Sequence, residues 1–509
     1  MLCRKEGGAM LFQGAVQCLV VLFVFLGRSN AVSQPNIVLI LTDDQDVVLQ
    51  GLIPMTATQK NLAFKGITFN NAFTSSPICC PSRASILSGQ YAHNHASINN
   101  SVSGGCYGDF WKERVERRTI AVQLENLGYE TFFAGKYLNQ YHSDNVPPGW
   151  SKFYGLHGNS RYYNYSLTEN GEVVSYTDEY LTDVLKEKAL DFLKSRESNK
   201  PFFAMIAPPA PHAPFTPAPR HNLSFEGVKV LQTLNFNVAF GPLDKHWLVN
   251  MRGPFPDSLI PTLDNYYRSR WQSLLAVDEL VESIVQHLES AGQIDNTYIV
   301  FTSDNGYHMG QFGQPFDKRQ PYETDIRVPF LVRGPNIQPK SITNAPIALI
   351  DLFPTFLEWA GGTLTGYEDG ESFNRHIVEQ ENEITSDRTY HRSILIEYWG
   401  EGNMETYNPA CPWKLSDDLA ECTLDADCYC QDARNNTYSC IRHFAFNTDK
   451  IYCEFRDSED FVEAYDLSTD IYQMQNIGYS MLPSERALYS LSLRNLTECM
   501  GKTCRESKI

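Results

Sequence analysis

The chain has 509 residues, 42% hydrophobic and 12% aromatic, with 42 Lys and Arg against 60 Asp and Glu for a formal charge of −18. Domains run about 100–200 residues, so this length excludes a lone small module and allows two or three domains, while the apolar content excludes global disorder. So acidic a balance disfavours nucleic acid as a partner, although a local basic pocket can still hold an anion.

Residues 1–30 read as a secretory signal peptide. Arg4 and Lys5 precede an apolar run from Leu11 to Gly27, and the small residues Ser29, Ala31 and Ser33 follow it. The run is short for a membrane span and no later stretch is long enough, so no stable membrane anchor is expected. Cysteine usage agrees with export. Of 13 cysteines, Cys3 and Cys18 fall in the signal, which leaves an odd number for an oxidising compartment and asks for one with another task. Sequons at Asn99, Asn164, Asn222, Asn435 and Asn495 are the expected glycosylation sites.

Residues 31–380 read as a catalytic domain in which short buried strands alternate with helices. The strands are Ile37–Leu41, Thr131–Ala134, Phe202–Ile206, Tyr298–Phe301 and Phe330–Val332; the helices are Thr119–Leu127, Leu181–Leu193, Arg268–Ser290 and Ile347–Ala360. This is the α/β signature, and it predicts a large mixed sheet flanked by helices. Composition shifts to Gly, Glu, Asn and Asp across 361–390. Residues 381–509 then form an expected smaller, cysteine-rich α+β domain, with strands Ser393–Glu397 and Phe461–Asp466 and a helix Ser484–Glu498. Disulfides would compensate for its small core; zinc on Cys422, Cys428, Cys430 and Cys440 is the rival reading.

Four apolar strands stop abruptly at polar residues, delivering Asp43 and Asp44, Lys136, His212, and Asp304 with Asn305. In open α/β sheets ligands bind beyond the carboxyl ends of strands, so these segments can meet. Three carboxylates and a carboxamide form an oxygen set suited to Ca²⁺ or Mg²⁺; separately, each pair reads equally well as a turn or helix cap. In Cys79-Cys80-Pro81-Ser82-Arg83, Pro81 fits a first helical turn, which puts Cys79 at a helix N-terminus that favours an anion, with Arg83 one turn on. A Cys79–Cys106 disulfide and a thiolate nucleophile are alternatives.

Cys-x-Pro-Ser-Arg followed by Leu87-Ser88-Gly89 resembles the signature of the type I sulfatase family, and the likeness extends over essentially the whole mature chain. The resemblance implies an alkaline-phosphatase/sulfatase-like fold and conversion of Cys79 to Cα-formylglycine by the formylglycine-generating enzyme, leaving an even ten cysteines. It further implies one Ca²⁺ on Asp43, Asp44, Asp304, Asn305 and the modified residue 79. Arg83, Lys136, His212 and Lys318 would be catalytic, and Asn139, Tyr307, His308 and Glu323 would contact the sugar. A hydrated formylglycine would attack sulfur, giving a sulfated enzyme that collapses to aldehyde and sulfate. Leu138 departs from the histidine many members carry there, with Asn139 or His308 as replacements. The implied substrate is the 6-O-sulfate of terminal N-acetylglucosamine in heparan sulfate or keratan sulfate, a sulfated glycosaminoglycan met in the lysosome. A secreted endo-6-O-sulfatase and a non-enzymatic sulfated-glycan-binding protein are the alternatives. Self-association as a homodimer is allowed, but the sequence specifies no interface.

Overall fold

The segment Asn36–Thr42 is buried along its whole length, and its alternate side chains enter opposite hydrophobic clusters. Ile37, Leu39 and Leu41 pack with Phe203 and Val300, whereas Val38 and Ile40 pack with Leu185 and Val277. A strand covered on both faces belongs at the centre of a sheet between helical layers. The computed structural model places it there. It describes residues 34–197, 199–378, 390–402, 404 and 406–506, so the signal segment and the expected boundary at 380/381 lie outside the described residues.

The large sheet has ten strands: β1 Asn36–Thr42, β2 Ile67–Phe73, β3 Glu130–Lys136, β4 Lys152–Leu156, β5 Tyr165–Glu169, β6 Glu172–Tyr176, β7 Phe202–Ala207, β8 Thr297–Ser303, β9 Phe330–Arg333 and β10 Ser341–Ala348. Their order is β10-β2-β9-β8-β1-β7-β3-β4-β5-β6. Strands β8, β1, β7, β3 and β4 run parallel, while β9, β5 and β6 run antiparallel to their neighbours. The mixed α/β sheet expected from the sequence is therefore present. Helices Leu181–Ser195 and Ile260–Ser290 cover one face through Leu181, Leu185, Phe192, Leu274, Val281 and Ile284. The Cys79–Ser88 and Leu352–Trp359 helices cover the other through Ile86, Leu87, Phe353 and Phe356.

Two element expectations are corrected. The run Ile347–Ala360 is not one helix. Ile347 and Ala348 finish β10, pairing with Ala72 and Phe73 of β2, and a 3₁₀ turn Leu349–Asp351 precedes the helix Leu352–Trp359. An apolar run alone does not separate a buried strand from a buried helix. The long helix begins at Ile260 rather than Arg268, with Pro261 in its first turn, where a missing N–H costs nothing.

The C-terminal region carries the antiparallel sheet β11-β14-β15-β16 (Arg392–Tyr398, Tyr438–Ala445, Thr448–Phe455, Val462–Asp466) and the pair β12 Leu419–Cys422 and β13 Cys430–Ala433. The helix Pro483–Thr497 packs Tyr489, Leu493 and Leu496 onto the larger of these sheets. Disulfides Cys411–Cys428, Cys422–Cys430, Cys440–Cys453 and Cys499–Cys504 overturn the zinc reading, because a bridged sulfur is not a thiolate ligand. Among the described residues, no helix is long and apolar enough to cross a membrane.

One clasp ties the short helix Ala92–His95 to β11 of the smaller sheet and to the segment after the Pro483–Thr497 helix. His93 Nδ1 lies 2.9 Å from Glu397 Oε1 and Nε2 2.9 Å from the Cys499 carbonyl, so the imidazolium satisfies both acceptors. Burial lowers the His93 pKa, but the hydrogen bond and charge of Glu397 outweigh it, and the net shift is upward from 6.5. A raised folded-state value stabilises the fold fully below the unfolded pKa, and that stabilisation is lost as pH rises through the folded one. We expect His93→Gln to lower Tm by a few degrees at about pH 5 and by less at about pH 9, read by thermal scans across pH.

Candidate active site

Because β8, β1, β7 and β3 are parallel neighbours, their carboxyl ends lie along one edge of the sheet. Asp43 and Asp44 follow β1, Lys136 ends β3, His212 lies in the loop after β7, and Asp304 and Asn305 follow β8. Gly135 lets β3 approach β7 closely just before Lys136: a Cβ there would meet the Ala207 carbonyl oxygen at 2.0 Å. Asp44 adopts φ 64°, a left-handed conformation that aspartate tolerates better than most residues. It thereby turns away from the strand, and its N–H donates to Asp304 Oδ1 at 3.0 Å.

The segments do converge. Lys136 Nζ is 2.8 Å from Asp43 Oδ2, which also accepts from the Ser160 hydroxyl. Lys318 Nζ is 2.7 Å from Asp44 Oδ2, and His212 Nε2 is 3.6 Å from the same oxygen. Arg83 donates through Nε to Asp304 Oδ2 at 2.8 Å and through Nη1 to the Lys136 carbonyl at 2.6 Å. Asn305 Nδ2 donates to Asp44 Oδ1 at 2.7 Å. Cys79, the first residue of its helix, puts Sγ 3.8 Å from Asp44 Oδ1. It is the one free cysteine among the described residues; Cys106 pairs with Cys80, so the Cys79–Cys106 alternative is overturned.

Charge controls this group. Burial alone would raise the Asp43 carboxyl, but Lys136, His212 and Arg83 hold it well below the usual range. Burial is likewise outweighed at Asp44, chiefly by Lys318. Asp304 is the exception: burial and the nearby Asp43 push it up to about 7 despite Arg83. Burial also pushes the Cys79 thiol up, against Lys136 and Lys318, so an unmodified Cys79 stays protonated, and a thiol is a far weaker nucleophile than its thiolate. One ligand atom from each of Asp43, Asp44, Cys79 and His212 fits within a mutual 4.8 Å, a cluster able to hold a metal ion. Asp43 Oδ1 and Asn305 Oδ1 are buried without a hydrogen-bond partner, as oxygen donors to a hard cation would be. Both oxygens of Asp304, by contrast, already accept hydrogen bonds, from the Asp44 and Asn305 amides and from Arg83.

Asp44, His212 and Lys318 of this group line a cleft of about 460 Å³, and Asp43, Cys79, Arg83, Lys136, Asp304 and Asn305 are fully buried and do not line it. Asn139 and Tyr307, two of the residues the resemblance offers as sugar contacts, line it. Leu138 points instead into the hydrophobic core. His308 stands back from the cleft, with Nδ1 at 3.0 Å from Asp325 and Nε2 at 3.0 Å from Gln431. Glu323 is elsewhere: its carboxylate pairs with Arg442 at 2.9 Å, so it does not serve this cleft. The opposite wall escaped sequence reasoning. Arg319 binds Asp317 and, from the C-terminal region, Glu401 at 3.2 Å and Glu421 at 3.1 Å. Ser160 and Arg270, whose Nη2 donates to the Asp44 carbonyl at 2.8 Å, were missed as well.

Residues 35–362 match the family model described as Sulfatase. The chain belongs to the sulfatase family. This sulfatase-type hydrolase is 45% identical to human N-acetylglucosamine-6-sulfatase over 94% of its own length and 87% of that protein. Against the goat (Capra hircus) N-acetylglucosamine-6-sulfatase the identity is 44%, covering 95% and 87% respectively. A solved structure of a protein in complex with its substrate D-glucosamine-2-N,6-O-disulfate shares the fold, with TM-score 0.73 and 24% identity over 93% of this chain and 98% of that one.

Breaking a buried ion pair from one side strands the other charge. Lys136→Met in this sulfatase is therefore expected to cost about 3–5 kcal/mol in denaturant unfolding. Ser160→Ala removes a donor to the same buried carboxylate and should cost about 1.5–3 kcal/mol by the same measurement.

Proposed function

We propose that this sulfatase hydrolyses the 6-O-sulfate ester of terminal N-acetylglucosamine 6-sulfate in heparan sulfate or keratan sulfate, in the lysosome after passage through the secretory pathway. Near full-length likeness to proteins named N-acetylglucosamine-6-sulfatase supports the substrate. The disulfides, together with the N-terminal signal pattern, support the route. The observation that carries the chemistry is Cys79 at a helix start, its sulfur 3.8 Å from Asp44, amid carboxylates paired with Lys136, Lys318 and Arg83.

In this reading Asp43, Asp44, Asp304, Asn305 and residue 79 hold Ca²⁺, and the formylglycine-generating enzyme matures Cys79 to Cα-formylglycine. When present, these groups supply a Lewis acid and a hydrated-aldehyde oxygen for attack on sulfur. The chain's own residues do the rest. Arg83 fixes Asp304 and leaves Nη2 without a hydrogen-bond partner, while Lys136 and Lys318 bring positive charge against the sulfate oxygens. His212 donates from Nδ1 to the Ala213 carbonyl at 2.7 Å, which orients the ring and directs Nε2 toward Asp44. Burial lowers the His212 pKa from 6.5 against the pull of Asp44, so the protonated Nε2 that delivers a proton to the departing sugar oxygen is favoured by an acidic compartment, with Lys318 steadying the developing charge. Asn139 and Tyr307 position the sugar, and His308 acts through Gln431, which lines the cleft. One water is consumed, and the sugar hydroxyl and inorganic sulfate are released.

Cys79→Ala is expected to reduce sulfate release from N-acetylglucosamine 6-sulfate by more than about 10³-fold. Peptide mass analysis should find an aldehyde in place of the thiol at residue 79; fully active protein carrying a plain cysteine would overturn the assignment. His212→Ala should lower kcat by about 10²–10⁴-fold with little change in KM. Chelation of divalent cations should abolish turnover, and Ca²⁺ should restore it.

A further inference from the structure

A second cleft, of about 590 Å³, is lined by Tyr107, Lys112, Arg117 and His142 among others. Lys112, Arg117 and His142 are exposed, and among the described residues neither Lys112 nor Arg117 makes an ion pair. Lys112 Nζ sits 4.2 Å above the Tyr107 ring, which holds its charge at the cleft wall. The single carboxylate lining this cleft, Glu116, is turned inward, accepting from Trp111 Nε1 at 3.2 Å and the Tyr137 hydroxyl at 3.1 Å. Burial raises its pKa further, which weakens its opposition to the cations. Glu113 and Asp144 are near in sequence but do not line the cleft. In a chain of charge −18, an unneutralised cationic cleft is an exception.

Its position gives that exception a use. Asn139 and Gln140 line the catalytic cleft, and His142 and Ser143 line this one. Two residues of chain span at most about 7 Å, so the clefts adjoin along this loop. The disulfide-tied loop repeats the pattern, with Asn100 and Ser101 on the first cleft and Tyr107 on the second.

We propose that the second cleft is a subsite for the anionic saccharides that continue the substrate beyond the sugar held in the catalytic cleft, with their sulfate or carboxylate groups on Lys112, Arg117 and His142. This rests on the glycosaminoglycan reading above. Exposed charges of this kind contribute modestly one by one but add along a polyanion, and they weaken with salt.

The test is the double variant Lys112→Ala/Arg117→Ala, assayed on N-acetylglucosamine 6-sulfate and on a heparan sulfate tetrasaccharide ending in that residue. On the monosaccharide, kcat/KM should stay within about twofold of wild type. On the tetrasaccharide it should fall about tenfold, through KM, with a shallower salt dependence. Lys112→Arg/Arg117→Lys should restore it. Equal losses on both substrates, or none on the tetrasaccharide, would overturn the proposal. Calorimetry with a 6-O-desulfated, N-sulfated heparin tetrasaccharide gives a readout independent of turnover. Wild-type protein should bind it and the double variant about tenfold more weakly; binding unchanged in the variant, or absent in wild type, would also overturn the subsite. Sulfate release from neither substrate would instead refute the catalytic reading, and the calorimetry would still decide the subsite.

Discussion

Three carboxylates, Asp43, Asp44 and Asp304, are buried together at the carboxyl ends of β1 and β8, and the site depends on how their charge is compensated. Isolated carboxylates at this depth would protonate or unfold the chain around them. Lys136 and Lys318 each take one, and Arg83 grips Asp304 while standing 3.5 Å from Asp43. Each cation comes from a different part of the chain, so the charges balance only when β1, β3, β8 and the motif helix are all in register. The group that would handle sulfate is thus also a condition for the sheet edge to close.

The sheet makes that condition attainable. Parallel pairing of β1 with β8 puts segments more than 260 residues apart side by side, as in Thr42 opposite Ser303, and β7 lies along the other edge of β1. Both faces of the central strands are covered by helices, so a ligand meets them at their polar carboxyl ends. The C-terminal region then turns an edge into a cleft by supplying Glu401, Glu421 and Gln431 to its far wall. Burial pushes Asp432 up to about 7 behind that wall, against the pull of Arg319.

Much of this could be read from the residues. Short apolar runs ending in Asp, Lys or Asn located β1, β3 and β8 to within a residue or two, because a strand buried on both faces leaves an unbroken hydrophobic signature. Cysteine parity singled out one unpaired sulfur, and bridging of the other ten gave it to Cys79. What escaped notice was set by tertiary pairing. Arg319, Glu401 and Glu421 meet across about a hundred residues with no local pattern to mark them, and Ser160 looks like any loop serine until Asp43 lies against it. Glu323, expected from the resemblance to contact the sugar, is claimed instead by a partner on β14, Arg442. The 347–360 run failed for a different reason: a continuous apolar stretch fits either a strand or a helix.

Adjacent sulfurs at 79 and 80 pose a problem of choice during oxidative folding. Cys106 could close a ring with either one, and the rings differ by a single residue, so chain entropy scarcely discriminates between them. Geometry does: in the folded chain, residue 79 looks toward Asp44 while its neighbour looks toward Cys106. A premature bridge to the wrong sulfur would lock away the position that the proposed chemistry uses. Early chemical conversion of Cys79 would remove that competitor, leaving Cys106 a single mate.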